Sequence, residues 1–269
     1  MTPAPLRHIY QRIRATFPCD YKIGDYAIKL PSHHRLPGYQ QEFPLYDRFL
    51  PVLAKHISFD KLIIDVGANV GDTTIAIMQN CKNPIYAFEP DPVFYDYLLK
   101  NVYTSPLNKS CRVTTFKRFV GTGNVSSRCI PLDSFIDTED VVLLKIDVDG
   151  FDYDVINSAG SILSRSEPIL FWENWIDTDR QFEGFCDMYK HLSKQGYCYL
   201  YLIDNYGNLL LKDTDFRTLI DINNYLYTLK KSGARVPFDY IDVLAVTEKY
   251  RDNVRSAIRE YEKLAGASP

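Results

Sequence analysis

The sequence predicts an open α/β sheet with helices on both faces, preceded by an N-terminal segment of different character. Short apolar runs recur at 62–66 (LIIDV), 85–89 (IYAFE), 112–116 (RVTTF), 141–147 (VVLLKID), 168–173 (PILFWE), 197–203 (YCYLYLI) and 240–246 (YIDVLAV). They are near-continuous rather than alternating, as strands covered on both faces are. Stretches of helical spacing lie between them: GDTTIAIMQN after the first, PVFYDYLLKNVYT after the second and FDYDVINSAGSILSR after the fourth. Strand and helix alternating in this way build βαβ units.

The tail departs from the alternation. The run at 197–203 leads into a turn, DNYGN, and a second apolar stretch at 209–211. A helical segment, FRTLIDINNYLYTLKKS, then precedes 240–246. Such an excursion suits a seven-stranded mixed sheet whose last strand enters antiparallel. The charged, periodic stretch 248–264 reads as a C-terminal surface helix. Residues 1–58 hold a candidate hairpin (YKIGDYAIKLP) and a segment rich in His, Tyr and Pro. They read as a cap on a main domain spanning 59–269, facing its substrate.

Composition narrows the function. The chain has 269 residues, 46% of them hydrophobic and 24% charged, enough to bury a sizeable core. A net charge of −3 gives no broad basic field for nucleic acid, which is not an expected partner. The six cysteines show no C-x-x-C pairing or metal spacing and suit a reducing compartment. The opening residues are interrupted by charge, and no apolar run approaches the roughly 20 residues that span a bilayer. The expectation is a cytoplasmic protein without a membrane span.

The chemistry begins at KLIIDVGANVGDTT, residues 61–74. Gly67 and Gly71 follow the end of a buried strand, where open parallel sheets bind their ligands. Glycine there permits a tight turn and close approach of the backbone, and the loop offers N–H groups to an anionic group. Glu89 ends the next strand, 22 residues after Gly67, where an acid accepts the hydroxyls of a ribose. Together these features signal an adenosine-containing cofactor. The middle glycine that brings a pyrophosphate onto the backbone is absent, since Ala68-Asn69-Val70 stands between Gly67 and Gly71; a Walker-type loop is absent too. S-adenosylmethionine, with an amino-acid group in place of a pyrophosphate, fits better. Its ammonium suits Asp65 or a nearby carbonyl, and its carboxylate suits the loop N–H groups.

Four motifs in order, DVGANVGD at 65–72, AFEPDP at 87–92, PLDSF at 131–135 and LKIDVDGFD at 144–152, resemble those of the FkbM-type methyltransferases. The resemblance covers roughly residues 60 to 175. Asp149 and Asp152 stand where that family more often shows glutamates. The stretch HHRLPGYQQEFPLYDR is similar to the segment before the core in some polysaccharide-linked members. The resemblance implies a class I Rossmann-like fold, S-adenosylmethionine as cofactor, and methyl transfer to a hydroxyl of a sugar or natural product. It implies that Asp65, Gly67, Asn69 and Gly71 line the methionine half of the cofactor, with Ala68, Asp72 and Thr73 beside them. Glu89 and Pro90 then lie at the ribose, and Val120-Gly121 with Asp133 border the adenine.

The reaction end of the sheet carries acids. Period-two alternation projects Asp147 and Asp149 to one side at the end of the fourth strand, and Glu173 ends the next. A sugar hydroxyl is a poor nucleophile, so a carboxylate or imidazole must take its proton. Asp147, Asp149 and Glu173 are the candidates, with His34 if the cap folds over the cleft. The three carboxylates also have the oxygen chemistry of an Mg²⁺ site. Tyr39, Tyr46, Trp172 and Trp175 are candidates to stack on a sugar. No N-P-P-Y or D-P-P-Y follows the fourth strand, which disfavours methylation of a base amine. The expected activity is O-methylation of a sugar hydroxyl in a glycan or its precursor. The alternatives are a non-catalytic binding or scaffold protein on this fold and an NAD-linked oxidoreductase.

Overall fold

The structure is a computed structural model that describes residues 18–58 and 60–266. The first 17 residues of the expected cap, Phe59 and residues 267–269 lie outside the described residues.

The chain opens with an antiparallel hairpin of β1 (Pro18–Ile23) and β2 (Tyr26–Pro31). Two short helices follow, α1 (Leu36–Glu42) and α2 (Phe49–Ala54). The main sheet then begins with β3 (Leu62–Val66), α3 (Asp72–Met78), β4 (Ile85–Phe88), α4 (Pro92–Thr104), α5 (Asn108–Cys111) and β5 (Val113–Phe116). A small parallel ribbon of β6 (Phe119–Val120) and β7 (Cys129–Ile130) leads to β8 (Val141–Ile146). Next come α6 (Asp152–Asn157), α7 (Gly160–Ser166), β9 (Ile169–Asn174) and α8 (Asp179–Lys194). The chain ends with β10 (Tyr199–Asp204), β11 (Leu209–Thr214), α9 (Phe216–Lys231), β12 (Ile241–Val246) and α10 (Arg251–Gly266).

Among the described residues the main sheet runs β11-β10-β12-β9-β8-β3-β4-β5. All seven expected strands are in it, and β12 enters antiparallel between β9 and β10. The stretch after the DNYGN turn adds an eighth strand, β11, as an antiparallel edge. The segment 151–165 forms two helices instead of one. Its Ser158 hydroxyl bonds to the Val155 carbonyl at 2.7 Å and accepts the Leu132 N–H at 3.1 Å, which draws the chain off the helical path. Helix α8 has no counterpart in the expected elements. Its start is a capping box, in which Thr178 and Gln181 satisfy one another's backbone N–H groups.

Alternation along the strands sends side chains into two cores. Leu62, Ile64 and Val66 pack with Trp172, Phe185 and Met188 under α6–α9. Ile63 faces the other way, with Leu143, Phe171 and Leu244, beneath α3, α4, α10 and the N-terminal segment. Leu30, Leu36, Phe49 and Leu53 of that segment belong to this same core. Two backbone anchors hold the segment down. Asn101 of α4 accepts the Lys29 N–H at 2.7 Å and donates to the Lys29 and Val70 carbonyls. Gly207, at the β10–β11 turn, leaves room for Leu45, whose carbonyl oxygen would lie 2.3 Å from any Cβ there.

Candidate active site

The face turned toward the N-terminal segment becomes polar at the carboxyl ends of its strands. On β3 the alternation runs Ile63, Asp65, Gly67; on β8, Leu143, Lys145, Asp147; on β9, Phe171, Glu173; on β12, Leu244, Asp242. Register places Asp65 beside Lys145 and Asp242 opposite Glu173. Four neighbouring strands therefore present Asp65, Lys145, Glu173 and Asp242 as one polar row. Above it lies a cleft of about 750 Å³.

The first pair in the row is compensated. Asp65 is fully buried; its Oδ2 takes the Thr74 hydroxyl at 2.6 Å and its Oδ1 faces Lys145 Nζ at 3.0 Å. Lys145 also donates to the Gly67 carbonyl at 2.9 Å and lies 3.6 Å from Asp147. Burial pulls the ammonium's pKa down, but the charges of Asp65 and Asp147 outweigh it and hold Lys145 above its ordinary value. Lys145 thus clamps the glycine loop to the end of β8. A lysine inside the apolar run VVLLKI is the signal of this clamp in the sequence.

The loop is shaped by backbone constraints. Gly67 has φ 78°, and a Cβ there would lie 1.8 Å from the Asp147 carbonyl oxygen. Asn69 has φ 49°, a conformation Asn tolerates better than most residues. The N–H groups of Gly67 and Ala68 both donate to the Phe88 carbonyl at 2.9 Å, and that of Gly71 to Ala68 at 2.8 Å. Asn69 N–H donates to Glu89 Oε2 at 2.9 Å, and Asp91 N–H to Glu89 Oε1 at 2.7 Å. Most of the loop's donors are thus spent inside the protein, contrary to the expectation that they await a carboxylate. Glu89, 6% exposed, is raised to about 7 by burial, against the pull of those two N–H groups. A carboxylate has about four lone-pair sites, so roughly two remain on Glu89 for other donors.

Of the residues singled out in the sequence, Gly67, Asn69, Asp72, Thr73, Asp147, Asp149, Glu173 and His34 line the cleft, together with Tyr39, Tyr46 and Trp175. Others do not. Glu89 is buried behind the loop on the Asn69 and Asp91 N–H groups, Asp65 and Ala68 are buried beneath the loop, and Gly71 packs on Leu98. Pro90 is half-buried just past β4. Val120 is buried in the β6–β7 ribbon. Asp133 accepts the N–H groups of Ser161 and Ile162 at 2.8 and 3.1 Å, capping α7. Trp172 is fully buried in the core under α8 and is no platform for a sugar. Asp152, also buried, accepts the Glu173 N–H at 3.2 Å.

His34 reaches the cleft because α1 and the turn before it fold over the loop. Its Nδ1 accepts the Leu36 N–H at 3.3 Å, which places the proton on Nε2, 3.3 Å from Asn69 Oδ1. Both ring nitrogens are engaged, so the imidazole ties the N-terminal segment to the glycine loop. The acids behave differently. Burial, reinforced by Asp147, raises the Asp149 carboxyl. Burial, with Asp147, Asp152 and Asp242 around it, pushes Glu173 up to about 11. Among the described residues, no group of three His, Cys, Asp or Glu side chains is arranged to hold a metal ion, which corrects the Mg²⁺ expectation. No helix among them is long and apolar enough to cross a membrane.

The strand order, the antiparallel β12 and the cleft at the carboxyl ends of β3 and β8 define the class I S-adenosylmethionine-dependent methyltransferase fold. Residues 106–199 match the family model of the Methyltransferase FkbM domain. The match contains PLDSF and LKIDVDGFD, while the glycine loop and AFEPDP precede it. The domain implies S-adenosylmethionine as the methyl donor. Among solved structures, a Pyrococcus horikoshii protein described as a transferase aligns with TM-score 0.52 and 17% identity, over 85% of this chain and 70% of that one. TYW2 of P. horikoshii in complex with MeSAdo aligns with TM-score 0.50 and 14% identity, over 90% of this chain and 84% of that one. These two share the fold. Methyltransferase FkbM from Methylobacillus flagellatus KT aligns more loosely, with TM-score 0.40 and 15% identity over 79% of this chain and 58% of that one. No curated protein gave a significant match.

Proposed function

We propose that the protein methylates a hydroxyl of a carbohydrate acceptor, in a glycan or its precursor, with S-adenosylmethionine as donor. The observation that carries this reading is the cleft itself. It runs from the glycine loop to the β8 end, where Asp147 and Asp149 face it. Its volume of about 750 Å³ is in the range that holds a cofactor and a small acceptor together. The close approach of Gly67 to the Asp147 carbonyl sets the glycine loop against the end of β8, so both border the same cleft.

When bound, S-adenosylmethionine supplies a sulfonium methyl whose C–S bond breaks as the C–O bond to the acceptor forms. Gly67, Asn69, Asp72 and Thr73 hold its methionine half, and the remaining lone pairs of Glu89 take the ribose hydroxyls. Asp65, Ala68, Gly71 and Lys145 keep that loop in shape from below. Asp149 is the general base. It lines the cleft, makes no ion pair among the described residues, and has a carboxyl raised toward the proton affinity a base needs. It orients the acceptor hydroxyl at one carboxylate oxygen and takes its proton there. His34 is a positioning residue that holds the N-terminal segment over the loop. Tyr39, Tyr46 and Trp175 give the acceptor apolar faces and help exclude water.

The test is transfer of labelled methyl from S-adenosylmethionine to a panel of methyl glycosides and short glycans. Wild type should label at least one carbohydrate, and Asp149→Asn should lower kcat at least a hundredfold with little change in KM. Labelling confined to amines or carboxylates, or an unchanged kcat in the variant, would overturn the assignment.

A further inference from the structure

The polar row of the sheet is lopsided, and the lopsided half faces the acceptor end of the cleft. Asp65 has Lys145 beside it, whereas Asp242 stands directly opposite Glu173 on the neighbouring antiparallel strand. Side chains opposed in this way lie about 5 Å apart at Cβ, and two like charges there are unfavourable. Among the described residues neither Glu173 nor Asp242 makes an ion pair. Glu173 is only 8% exposed, lines the cleft, and its Oε2 has no hydrogen-bond partner. The residues are not arranged for a metal ion. The cations of the cleft lie elsewhere: Lys145 is committed to Asp65, Asp147 and the Gly67 carbonyl, and Arg35 sits exposed on the N-terminal segment.

Aromatic rings stand around the same acids. Trp175 and Tyr240 have ring centroids 6.2 Å apart, and Tyr240 immediately precedes β12. A buried, unsatisfied carboxyl beside a second carboxyl, walled by aromatic faces, is the recognition chemistry of an organic ammonium group. We infer that the acceptor bears a protonated amine, which Glu173 and Asp242 bind against the Trp175–Tyr240 wall while a neighbouring hydroxyl reaches the β8 end. This rests on the methyltransferase reading above and names the class of its substrate: an amino sugar or similar amino polyol. An anionic acceptor, such as a sugar phosphate or uronate, meets the wrong charge. Burial raises both carboxyls, so the arriving ammonium displaces protons, and binding should release them.

The experiment is calorimetry on the full chain saturated with S-adenosylhomocysteine. The probes are methyl glycosides of amino sugars with the amine at C2, C3, C4 or C6, their N-acetyl counterparts, and methyl glucuronide. At least one amino glycoside should bind tenfold or more tightly than its N-acetyl form, with heats that vary with buffer ionisation enthalpy. Asp242→Asn should reduce that preference to under threefold while leaving S-adenosylhomocysteine affinity unchanged, which shows that the variant is folded. If S-adenosylhomocysteine binds but no amino glycoside outbinds its N-acetyl form, or glucuronide binds best, the inference is overturned and the methyltransferase reading stands. If S-adenosylhomocysteine itself does not bind, the reading beneath it fails first.

Discussion

Replacing Lys145 by Met tests how the cradle is held. The substitution keeps most of the side chain's length and removes its charge. The ammonium lies 3.0 Å from Asp65, at an effective dielectric near 20 an attraction of about 5 kcal/mol before desolvation is counted. The contact with Asp147, which is half exposed, adds little after solvent screening. Removing one partner of a buried pair generally costs about 3–5 kcal/mol, because the other charge stays buried alone. Asp65 would keep only the Thr74 hydroxyl. For a domain of this size each kcal/mol moves Tm by roughly 2–4 °C, so K145M should melt roughly 10 °C lower. Adding Asp65→Asn to K145M removes the stranded charge and should restore about 2 kcal/mol or more, read as coupling in a double-mutant cycle. The assay is urea unfolding of the four proteins, with thermal melts beside it. A K145M melt within 2 °C of wild type, or strictly additive effects, would refute the clamp.

Three more outcomes are expected. The unfolded chain ionises Glu173 near pH ~4.3, whereas the folded chain keeps its proton up to about 11. The native state therefore binds more protons between those values, and stability falls as pH rises through the window. Glu173→Gln should flatten that slope and be more stable than wild type at pH 8, because the amide is neutral in both states and needs no proton to be buried; a lower Tm at pH 8 would contradict this. Gly67→Ala would push a methyl onto the Asp147 carbonyl, and circular dichroism melts should show a loss of several degrees along with lost S-adenosylhomocysteine binding. Asn223→Leu breaks a buried triangle in which Asn174 donates to Asn223 at 2.8 Å, Asn223 donates to Tyr189 at 3.0 Å, and Tyr189 donates to Asn174. It should cost about 2 kcal/mol or more in urea unfolding, since two buried partners lose their bonds.

The sheet was legible in the sequence because seven runs were apolar on both faces, a pattern with few other uses. The cleft's lining was legible where a residue sat at or just past a strand end: Gly67, Asn69, Asp147, Asp149 and Glu173 all face it. What the sequence concealed is what each polar group touches. Asp65 heads the motif DVGANVGD, yet its carboxylate is spent on Thr74 and Lys145, a partnership set by parallel register between strands 80 residues apart. Asp133 and Val120 belong to a helix cap and a ribbon whose partners come from elsewhere in the chain. Asp242 and Tyr240 joined the cleft only because β12 inserts antiparallel beside β9, so its first residues arrive where the others' last residues end. Helix α8 was legible too, from the Thr178–Gln181 capping box and the helical spacing of Phe185, Met188, Tyr189 and Leu192.

The central claim is that the cleft binds an adenosine cofactor with an amino-acid tail through the β3 loop and Glu89. Calorimetric titration with S-adenosylhomocysteine, beside NAD⁺ and repeated on Glu89→Ala, tests it most directly. The account predicts binding of S-adenosylhomocysteine alone, weakened tenfold or more in the variant, since hydrogen bonds to a charged group are worth about 1.5–3 kcal/mol each. Binding of NAD⁺ without S-adenosylhomocysteine, or S-adenosylhomocysteine bound equally by the variant, would contradict it.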